Sequence, residues 1–362
     1  MNIYRTHVGL DVHARSIVAQ AIHSDTGEVT WKKFPYDPAA VIDWVRGLAV
    51  PALTTYEAGP TGYDLSRRLT GAGIACVIAA PSKLQRPPGD RVKTDKNDAL
   101  HLAHLLQLGQ ITPVRVPTID EETARDLVRA REDCRHDLMA SRHRLSKLLL
   151  RHGHVYDGGG TWTRKHDVWI REHRAGTIAY QYAFDASYEA VAQVLARRDR
   201  LDAEIERMAD ASEFAPVVTR LGCLRGMGAL TSLALAVEIA DWDRFTGKTI
   251  GTYLGLTPSE YSSGTSRRLG GITKTGNSHA RRLLVEAAWH HRKQLRQQPT
   301  SALTLRQQNA SQEARLRGQA GNERLHKQWE KFVARRKKAT IANVAIAREL
   351  SGWCWSLAIM TD

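Results

Sequence analysis

Four carboxylates in the first hundred residues have types and spacings that suit metal-dependent chemistry. Asp11 interrupts an apolar, β-prone stretch, Glu57 ends a second one, and Asp95 and Asp98 are three residues apart in a predicted helix. Residues at i and i+3 of a helix share a face. Four carboxylates in one place repel strongly unless Mg²⁺ or Mn²⁺ neutralises them. Two such ions could hold a phosphodiester and polarise its oxygens.

Each acid also has a simpler interpretation. Asp11 could face water from a surface strand, because an unpaired acid is costly to bury. Asp95 could be only a helix N-cap, with Asp98 a favourable partner of the helix dipole. For either of these two residues alone, the simpler interpretation is favoured. The group is a candidate site because Asp11 and Glu57 precede the pair in a fold that brings strand ends to this helix.

The order of the predicted elements indicates that fold. Three strands come first, and helices then alternate with strands. The predicted strands cover residues 3–12, 16–23, 29–34, 52–57 and 74–79, and the predicted helices cover residues 38–48, 61–72 and 95–108. This order is that of the ribonuclease H-like fold, a mixed α/β sheet with helices on its faces. Ligands of such a sheet collect at the carboxyl ends of its strands, where Glu57 lies.

A long helical arm is predicted for the middle of the chain. Residues 118–151 are almost free of Gly and Pro, and their apolar residues form a narrow seam on a basic helix, as in a coiled coil. The pattern resumes over residues 187–211, which predicts an antiparallel hairpin that links domains or mediates dimerisation. Residues 152–185 interrupt it as an insertion. Four histidines there have spacings that fit no standard zinc pattern, so no metal is expected at His152, His154, His166 and His173.

The C-terminal third is predicted to be mainly helical, with a turn that suits phosphate binding. Gly226 and Gly228 lie between two helical segments and resemble a helix-hairpin-helix turn. In such a turn the backbone N–H groups of a helix N-terminus bind a phosphate. The signal is weak, since Gly also ends helices generally.

A loop rich in hydroxyl groups and cations follows this turn. It contains Ser262, Ser263, Arg267, Arg268 and Lys274. The hydroxyls could grip a phosphate, or one serine could attack a phosphorus while the three cations stabilise the developing negative charge. From the residues alone, gripping is favoured, because no His–Asp pair lies at a recognisable spacing to act as a base.

The composition indicates a polyanionic partner. The 362 residues carry a formal net charge of +14, which favours nucleic acid first and an anionic membrane surface second. No transmembrane helix is predicted, because no run of about 18 apolar residues occurs, and no signal peptide is expected. The four cysteines are far apart. Neither a structural zinc site nor a disulfide framework is therefore expected, and a reducing cytosol is the expected compartment.

The sequence resembles the IS110 family of transposases, which are bridge-RNA-guided DNA recombinases. The order and spacing of the matching blocks are specific, and the blocks cover most of the chain. They are residues 8–12, 56–59, 93–99, 226–228, 253–258, 263–264 and 272–277. Residues 150–210 and 297–330 match the family weakly.

The resemblance implies a RuvC-like first domain in which an Asp-Glu-Asp-Asp set binds Mg²⁺ or Mn²⁺. That set falls on Asp11, Glu57, Asp95 and Asp98. It also implies a smaller domain with a serine that becomes joined covalently to DNA. This nucleophile falls on Ser263, with Ser262 as the alternative. Contacts with nucleic acid are then expected at Arg267, Arg268, Lys274, Gly226, Gly228 and Asn277.

The resemblance further implies an assembly. The carboxylates and the serine would come from different subunits of a dimer or tetramer. A noncoding bridge RNA would select the donor and target DNA. The positive net charge permits such an RNA but does not require it.

The expected chain therefore has four domains. They are a RuvC-like domain at 1–112, a coiled-coil arm at 113–212 with an insertion at 152–185, a serine-bearing transposase domain at 213–298 and a basic helical extension at 299–362. The expected function is to cut and rejoin DNA for an insertion sequence through a serine–DNA intermediate, in the bacterial cytoplasm at the nucleoid. The alternative is a metal-dependent hydrolytic nuclease or Holliday-junction resolvase without a covalent intermediate.

Overall fold

The chain divides into two units, Met1–Pro117 and Thr118–Asp362. The structure is a computed structural model that describes residues 4–85, 94–263, 266, 268–295 and 298–361. A six-stranded mixed sheet forms the basis of the first unit, and the second unit is mainly helical. The predicted mixed α/β architecture is confirmed at this level, and the division into four domains stays a prediction.

The first unit follows the predicted order of elements closely. Its strands are β1 Thr6–Val12, β2 Ser16–His23, β3 Val29–Pro35, β4 Ala52–Glu57, β5 Ala75–Ala79 and β6 Pro113–Val114, and its helices are α1 Pro38–Arg46, α2 Asp64–Gly71 and α3 Asp95–Gln107. The sheet order is β3-β2-β1-β4-β5-β6. The β1–β2, β2–β3 and β5–β6 pairs are antiparallel, and the β1–β4 and β4–β5 pairs are parallel.

The two faces of this sheet have different roles because strand residues alternate between them. On one face, buried residues such as Val8, Leu10 and Tyr56 pack in a core with residues of α1 and α2. On the other face, Gly9 allows α3 to lie directly on β1. A Cβ atom at Gly9 would be only 2.0 Å from the carbonyl oxygen of Ala99. This close approach places the first turn of α3 beside the end of β1.

The first unit extends beyond the predicted limit at residue 112. Residues 113 and 114 form β6, which pairs with Ile78 and Ala79 of β5. A two-residue strand that begins with proline has no alternating pattern that the sequence analysis could detect. The unit ends at the N-cap of the next helix, where Thr118 and Glu121 form a capping box.

The second unit contains ten helices within the described residues and one short hairpin. The helices are α4 Ile119–Arg151, α5 Arg164–Glu172, α6 Ile178–Ala211, α7 Ala215–Leu221, α8 Ala229–Ile239, α9 Ile250–Tyr253, α10 Ser278–Ala288, α11 Ser301–Gln307, α12 Gln312–Ala334 and α13 Ala339–Ala358, and the hairpin strands are β7 Pro258–Glu260 and β8 Leu269–Ile272. Residues of α8, α10, α12 and α13 share one large apolar core.

The helices α4 and α6 run antiparallel to each other. Cys134 contacts the carbonyl of Val194, and Arg131, three residues earlier, pairs with Asp202, eight residues later. The buried residues Cys134, Leu138 and Leu145 lie on the predicted seam. Since ascending positions in α4 meet descending positions in α6, the two helices form a hairpin.

The insertion differs from the prediction at residues 152–185. The helix α6 begins at Ile178, where Thr177 caps it, nine residues before the predicted start. The additional turns are held by aromatic packing at helical spacing, for example Tyr180 against Phe184, with ring centroids 6.2 Å apart, so the apolar pattern of this helix extends further back than the predicted start. Residues 164–172 of the insertion form α5. The histidines of the insertion pack against other rings. For example, the ring centroids of His154 and His173 are 4.4 Å apart.

The segment from 258 to 296 also differs from the prediction. A loop is predicted around Ser262 and Lys274, but β7 and β8 form an antiparallel pair there. The helix that follows the hairpin, α10, ends at Ala288 and continues as a 3₁₀ turn, Trp289–Arg292. Short Gly- and Pro-containing strands lack the β-branched alternation that identifies a hairpin in sequence.

Candidate metal centre and serine loop

The four predicted carboxylates of the first unit line one cleft. Leu10 of β1 pairs with Tyr56 of β4, so the next residues, Asp11 and Glu57, are neighbours on the same face. Asp95 and Asp98 reach this cleft from the first turn of α3. The cleft has a volume of about 700 Å³. The sheet register and the seat of α3 on Gly9 therefore bring together residues that are up to 87 positions apart in the sequence.

Asp95 is not the N-cap of α3. The N-cap is Thr94, whose hydroxyl accepts a hydrogen bond from the backbone N–H of Asn97 at 3.2 Å. Because Thr94 caps the helix, the carboxylate of Asp95 is not needed for capping. The Asp95 side chain is half exposed beside the cleft. The simpler interpretation of Asp95 is therefore wrong.

His13 completes the group, and the sequence analysis missed it. Its Nε2 lies 3.1 Å from Oδ2 of Asp11 and 3.8 Å from Oδ1 of Asp95. Ligand atoms of His13, Asp11 and Asp95 all lie within 4.8 Å of one another. The signal was present, because a residue two positions after Asp11 in an extended segment points to the same face.

The electrostatics of the cleft favour a bound cation. The Asp11 side chain is only 19% exposed. Burial raises the pKa of Asp11, and the charges of Asp95 and Asp98 add to this effect, whereas His13 opposes it. A carboxylate in that position is stabilised by a positive charge from outside the chain. The donor set, mostly carboxylate oxygens with one imidazole, fits a hard divalent ion.

The candidate serines lie at the turn of the β7–β8 hairpin. Ser263 forms a β-bridge with Ser266, in which the two backbone N–H···O distances are 3.2 and 3.1 Å. Its side chain is exposed, and no hydrogen bond joins its Oγ to the described part of the chain. Ser262 differs, because its hydroxyl donates to Oε1 of Glu260 at 2.7 Å. Within the described residues, the structure thus distinguishes the two serines, because a carboxylate holds only the hydroxyl of Ser262.

The predicted nucleic-acid contacts have different local settings. Arg267 lies outside the described residues. Arg268 is exposed and accepts a hydrogen bond from Tyr261 N–H through its carbonyl oxygen. Lys274 is exposed and adopts a left-handed conformation, with φ of 56°. It pairs through its backbone N–H with the carbonyl of Gly255 at 3.1 Å.

Two predicted contact residues have structural constraints of their own. Gly226 has φ of 82°, and a Cβ there would lie 2.6 Å from the carbonyl oxygen of Ala287. Asn277 is the N-cap of α10, and its amide also donates to Glu238 at 2.7 Å. Gly228 precedes α8, with open space where a Cβ would be. These contacts account for Gly226 and Asn277 without nucleic acid, whereas Gly228 has no such packing requirement.

Comparisons with known proteins show the family of this chain. Residues 218–302 match the profile of the transposase IS116/IS110/IS902 family, and residues 8–153 match a transposase profile named for the DEDD domain of IS110 elements. The putative transposase y4qE of Sinorhizobium fredii is 35% identical over 358 residues, which are 97% of this chain and 88% of that protein. The chain belongs to the IS110 family of transposases. The predicted family membership is confirmed.

Two more distant relatives extend over most of this transposase. The transposase for insertion sequence element IS1533 of Leptospira borgpetersenii is 28% identical, covering 92% of this chain and 98% of the relative. The transposase for IS1111A of Coxiella burnetii is 23% identical, covering 75% of each. The chain is therefore a DNA transposase, and its DEDD domain implies a divalent metal ion. None of the helices in the described ranges is long and apolar enough to cross a membrane.

The transposase has a second acidic cluster, in the second unit, that the sequence analysis missed. Glu238 of α8 has a side chain that is only 1% exposed. Arg129 of α4 donates to both of its oxygens, at 2.9 and 3.0 Å. Asn277 and His279 complete the shell at 2.7 and 3.1 Å. Burial alone raises the pKa of Glu238, but the bonds from His279 and Arg129 lower it to about 2.

This cluster continues to Glu132, one turn along α4. The carboxylate of Glu132 accepts hydrogen bonds from Arg135 and from Arg282 of α10. His279 Nε2 lies 4.0 Å from Glu132, so this imidazole is between the two glutamates. The network joins α4, α8 and α10 through charged side chains. It therefore fixes the helix that follows the serine hairpin.

Proposed function

We propose that this transposase cuts and rejoins DNA through a serine–DNA intermediate and that the carboxylate cleft holds Mg²⁺ for the reaction. The observation that carries the proposal is the convergence of Asp11, Glu57, Asp95 and Asp98 on one cleft in a chain of the DEDD transposase family. The exposed hydroxyl of Ser263 supports the choice of nucleophile.

The carboxylates hold the divalent ion in this proposal. Asp11, Asp95 and His13 have the ligand atoms in closest proximity, and Glu57 and Asp98 line the same cleft. When bound, the ion supplies charge neutralisation and polarises a phosphate oxygen. His13 also hydrogen-bonds to Asp11, and this contact orients that carboxylate.

Ser263 performs the covalent step. Its Oγ attacks the phosphorus of a phosphodiester, a new Oγ–P bond forms, and the bond from phosphorus to one deoxyribose oxygen breaks. The proton of the serine leaves to solvent or a base, and the departing oxygen takes up a proton to become a free hydroxyl. Reversal by the hydroxyl of another strand completes rejoining. The phosphoserine bond conserves the phosphodiester energy, so no nucleotide hydrolysis is needed.

The partners of the reaction follow from the same proposal. Donor and target DNA bind to a chain with a net charge of +14, through contacts that include Arg267, Arg268 and Lys274. A noncoding bridge RNA selects the sites, and two or more copies of the chain bring a serine and a cleft to one phosphodiester. The support for the RNA and for the oligomer is the family resemblance and the charge.

Substitution of the two serines tests the proposal. Purified protein is incubated with bridge RNA, DNA and Mg²⁺, and the products are separated on a denaturing gel. Wild type and Ser262→Ala are expected to give a protein–DNA adduct, whereas Ser263→Ala gives none. The Ser262→Ala variant is the matched control because it removes the neighbouring hydroxyl. Adduct and recombinant product from Ser263→Ala would refute the assignment of the nucleophile.

A hydrolytic nuclease is the second candidate. The observation in its favour is that the carboxylate cleft is built entirely from residues of the first unit. In that case a metal-activated water cuts the strand and the serines only grip phosphate. The same gel distinguishes the two, since hydrolysis gives nicked DNA without adduct and Ser263→Ala then retains nicking.

A further inference from the structure

The sheet face that carries the carboxylates continues to an exposed edge. Asp11 of β1 is opposite Val18 of β2, and Val18 is opposite Lys33 of β3. Directly paired strand residues point to the same face. Neighbouring strands lie about 4.8 Å apart, so the backbone of Lys33 is roughly 10 Å from that of Asp11. Lys33 is thus in the same cross-strand row as the candidate metal ligand.

Trp31 lies on the same face, one row away. It is opposite Gln20, which is in turn opposite Gly9. Trp31 is 53% exposed although it belongs to the sheet. A large aromatic side chain at a solvent-facing sheet edge forgoes most of the burial that normally stabilises it. Packing of the first unit therefore does not explain this residue.

Lys96 connects Trp31 to the cleft. It belongs to the first turn of α3, between Asp95 and Asp98, and its ammonium lies 4.2 Å from the centre of the Trp31 ring. The amide of Gln20 donates to the carbonyl of Lys96 at 3.3 Å, which fastens this turn to the sheet. The helix dipole disfavours a cation in the first turn of a helix. Helix stability therefore does not explain Lys96.

The lysines of the edge strand form a natural contrast. Lys32 and Lys33 are adjacent and both exposed. Lys32 points to the opposite face, where its ammonium lies 5.2 Å from the centre of the Phe34 ring. No acidic side chain in the described part of the chain lies within ion-pair distance of Lys33 or Lys96. If these lysines only protected the sheet edge from aggregation, Lys32 and Lys33 would be equivalent.

We propose that Lys33 and Lys96 bind the phosphate backbone of the DNA strand that enters the carboxylate cleft, with Trp31 as the residue that positions Lys96. This inference rests on the proposed function, because it takes the strand being cut as the occupant. Lys33 is two strand spacings from Asp11 in the sheet, so it contacts a phosphate close to the one at the carboxylates on the same strand. The carboxylates would hold the metal that neutralises the first phosphate, and the lysines farther along the sheet face would neutralise the phosphates that have no metal.

The salt dependence of binding tests the lysines. The full-length chain binds a short fluorescein-labelled DNA, single-stranded or duplex, at fixed Ca²⁺, and the dissociation constant is measured between about 50 and 200 mM salt. Lys33→Ala and Lys96→Ala are each expected to reduce the slope of log K against log salt by about 0.7 to 0.9. Lys32→Ala, which removes the same charge from the other face, is expected to leave the slope unchanged. Equal slopes for Lys33→Ala and Lys32→Ala would overturn the proposal.

A coupling experiment tests the positioning role of Trp31. Trp31→Ala is expected to lower the slope as Lys96→Ala does, with no further loss in the double variant, because one contact is removed in both cases. Trp31→Phe keeps a ring under the ammonium and is expected to restore most of the slope. Additive losses, or no rescue by Trp31→Phe at an unchanged unfolding temperature, would contradict this role.

Two further readouts separate this inference from the proposed function. Adduct formation by the wild-type protein is measured with the same DNA. If only the lysine contacts are assigned wrongly, the wild type still forms the adduct. If the proposed function is wrong, the wild type forms no adduct. A labelled RNA strand of the same sequence is the second arm of the binding series. A change of slope with RNA but not with DNA would show that the track serves RNA, and it would overturn the proposed occupant.

Discussion

The acids at the centres of the two acidic clusters have similar sequence surroundings, but their pKa values are shifted in opposite directions. Asp11 and Glu238 are each a lone acid in an apolar run, and each is mostly withdrawn from water. Within the described residues, Asp11 has His13 as its ion-pair partner and two other carboxylates nearby, so its pKa is raised. Glu238 has Arg129 on both oxygens, and its pKa is lowered to about 2.

This difference indicates what each cluster is for. A buried carboxylate that arginines and amides satisfy stabilises the packing of the helices that supply them, provided that all partners remain. A carboxylate among other carboxylates requires a cation from outside. The arginines therefore indicate a structural role for Glu238. No arginine pairs with Asp11 within the described residues, which favours the proposed metal binding there. Substitution of each acid by its own amide tests this distinction.

The largest effect is expected from Asp11→Asn. The substitution removes a proposed metal ligand, so DNA cleavage is expected to fall more than about 100-fold, since even partners of ligands are worth roughly 10–100-fold. The free energy of unfolding without metal is expected not to fall, because one of several repelling charges is removed. Strand cleavage and thermal unfolding in EDTA measure the two results. Cleavage within about threefold of wild type would contradict metal binding by Asp11.

The matched change Glu238→Gln is expected to act on stability. It removes the charge that compensates Arg129 and, at 3.8 Å, Arg125. Loss of one partner of a buried pair typically costs about 3–5 kcal/mol. Arg129 is half exposed, so we expect about 2–3 kcal/mol in urea unfolding of the second unit. A loss below about 0.5 kcal/mol would show that the network is not structural.

The smallest effect is expected from added metal, which separates the roles of Asp11 and Glu238. Mg²⁺ or Mn²⁺ at roughly 10 times its dissociation constant is expected to stabilise the first unit by about 1.4 kcal/mol. Asp11→Asn is expected to abolish most of this gain, and Glu238→Gln is expected to keep it. Calorimetry with and without the ion gives the shift. An equal shift in Asp11→Asn and wild type would place the ion elsewhere.

Much of the first unit could be predicted because its signals are local. The strand that ends at Glu57 has the predicted limits, and the helix at Asp95 has the predicted start, since turn residues bound each apolar stretch. The convergence of the acids followed from fold order alone. His13 was not among the predicted ligands, although a residue two positions after Asp11 in an extended segment lies on the same face.

The second unit was less predictable because its contacts are distant in sequence. Arg129 and Glu238 are 109 residues apart, and no local pattern marks their pairing. The β7–β8 hairpin is held by backbone pairing between Gly- and Pro-containing segments, so neither strand has a side-chain period. The serines were identified from their neighbours in the sequence, but only coordinates show that Glu260 holds the hydroxyl of Ser262, whereas Ser263 has no such contact within the described residues.

Mass spectrometry of the trapped protein–DNA adduct tests the central claim most directly. Wild-type transposase is denatured during the reaction with Mg²⁺, the DNA is digested to a nucleotide, and the modified peptide is sequenced. We predict a nucleotide phosphate on Ser263, formed by wild type and absent when Asp11 is replaced by Asn. A modification on another residue, or cleaved DNA with no modified peptide, would contradict the account.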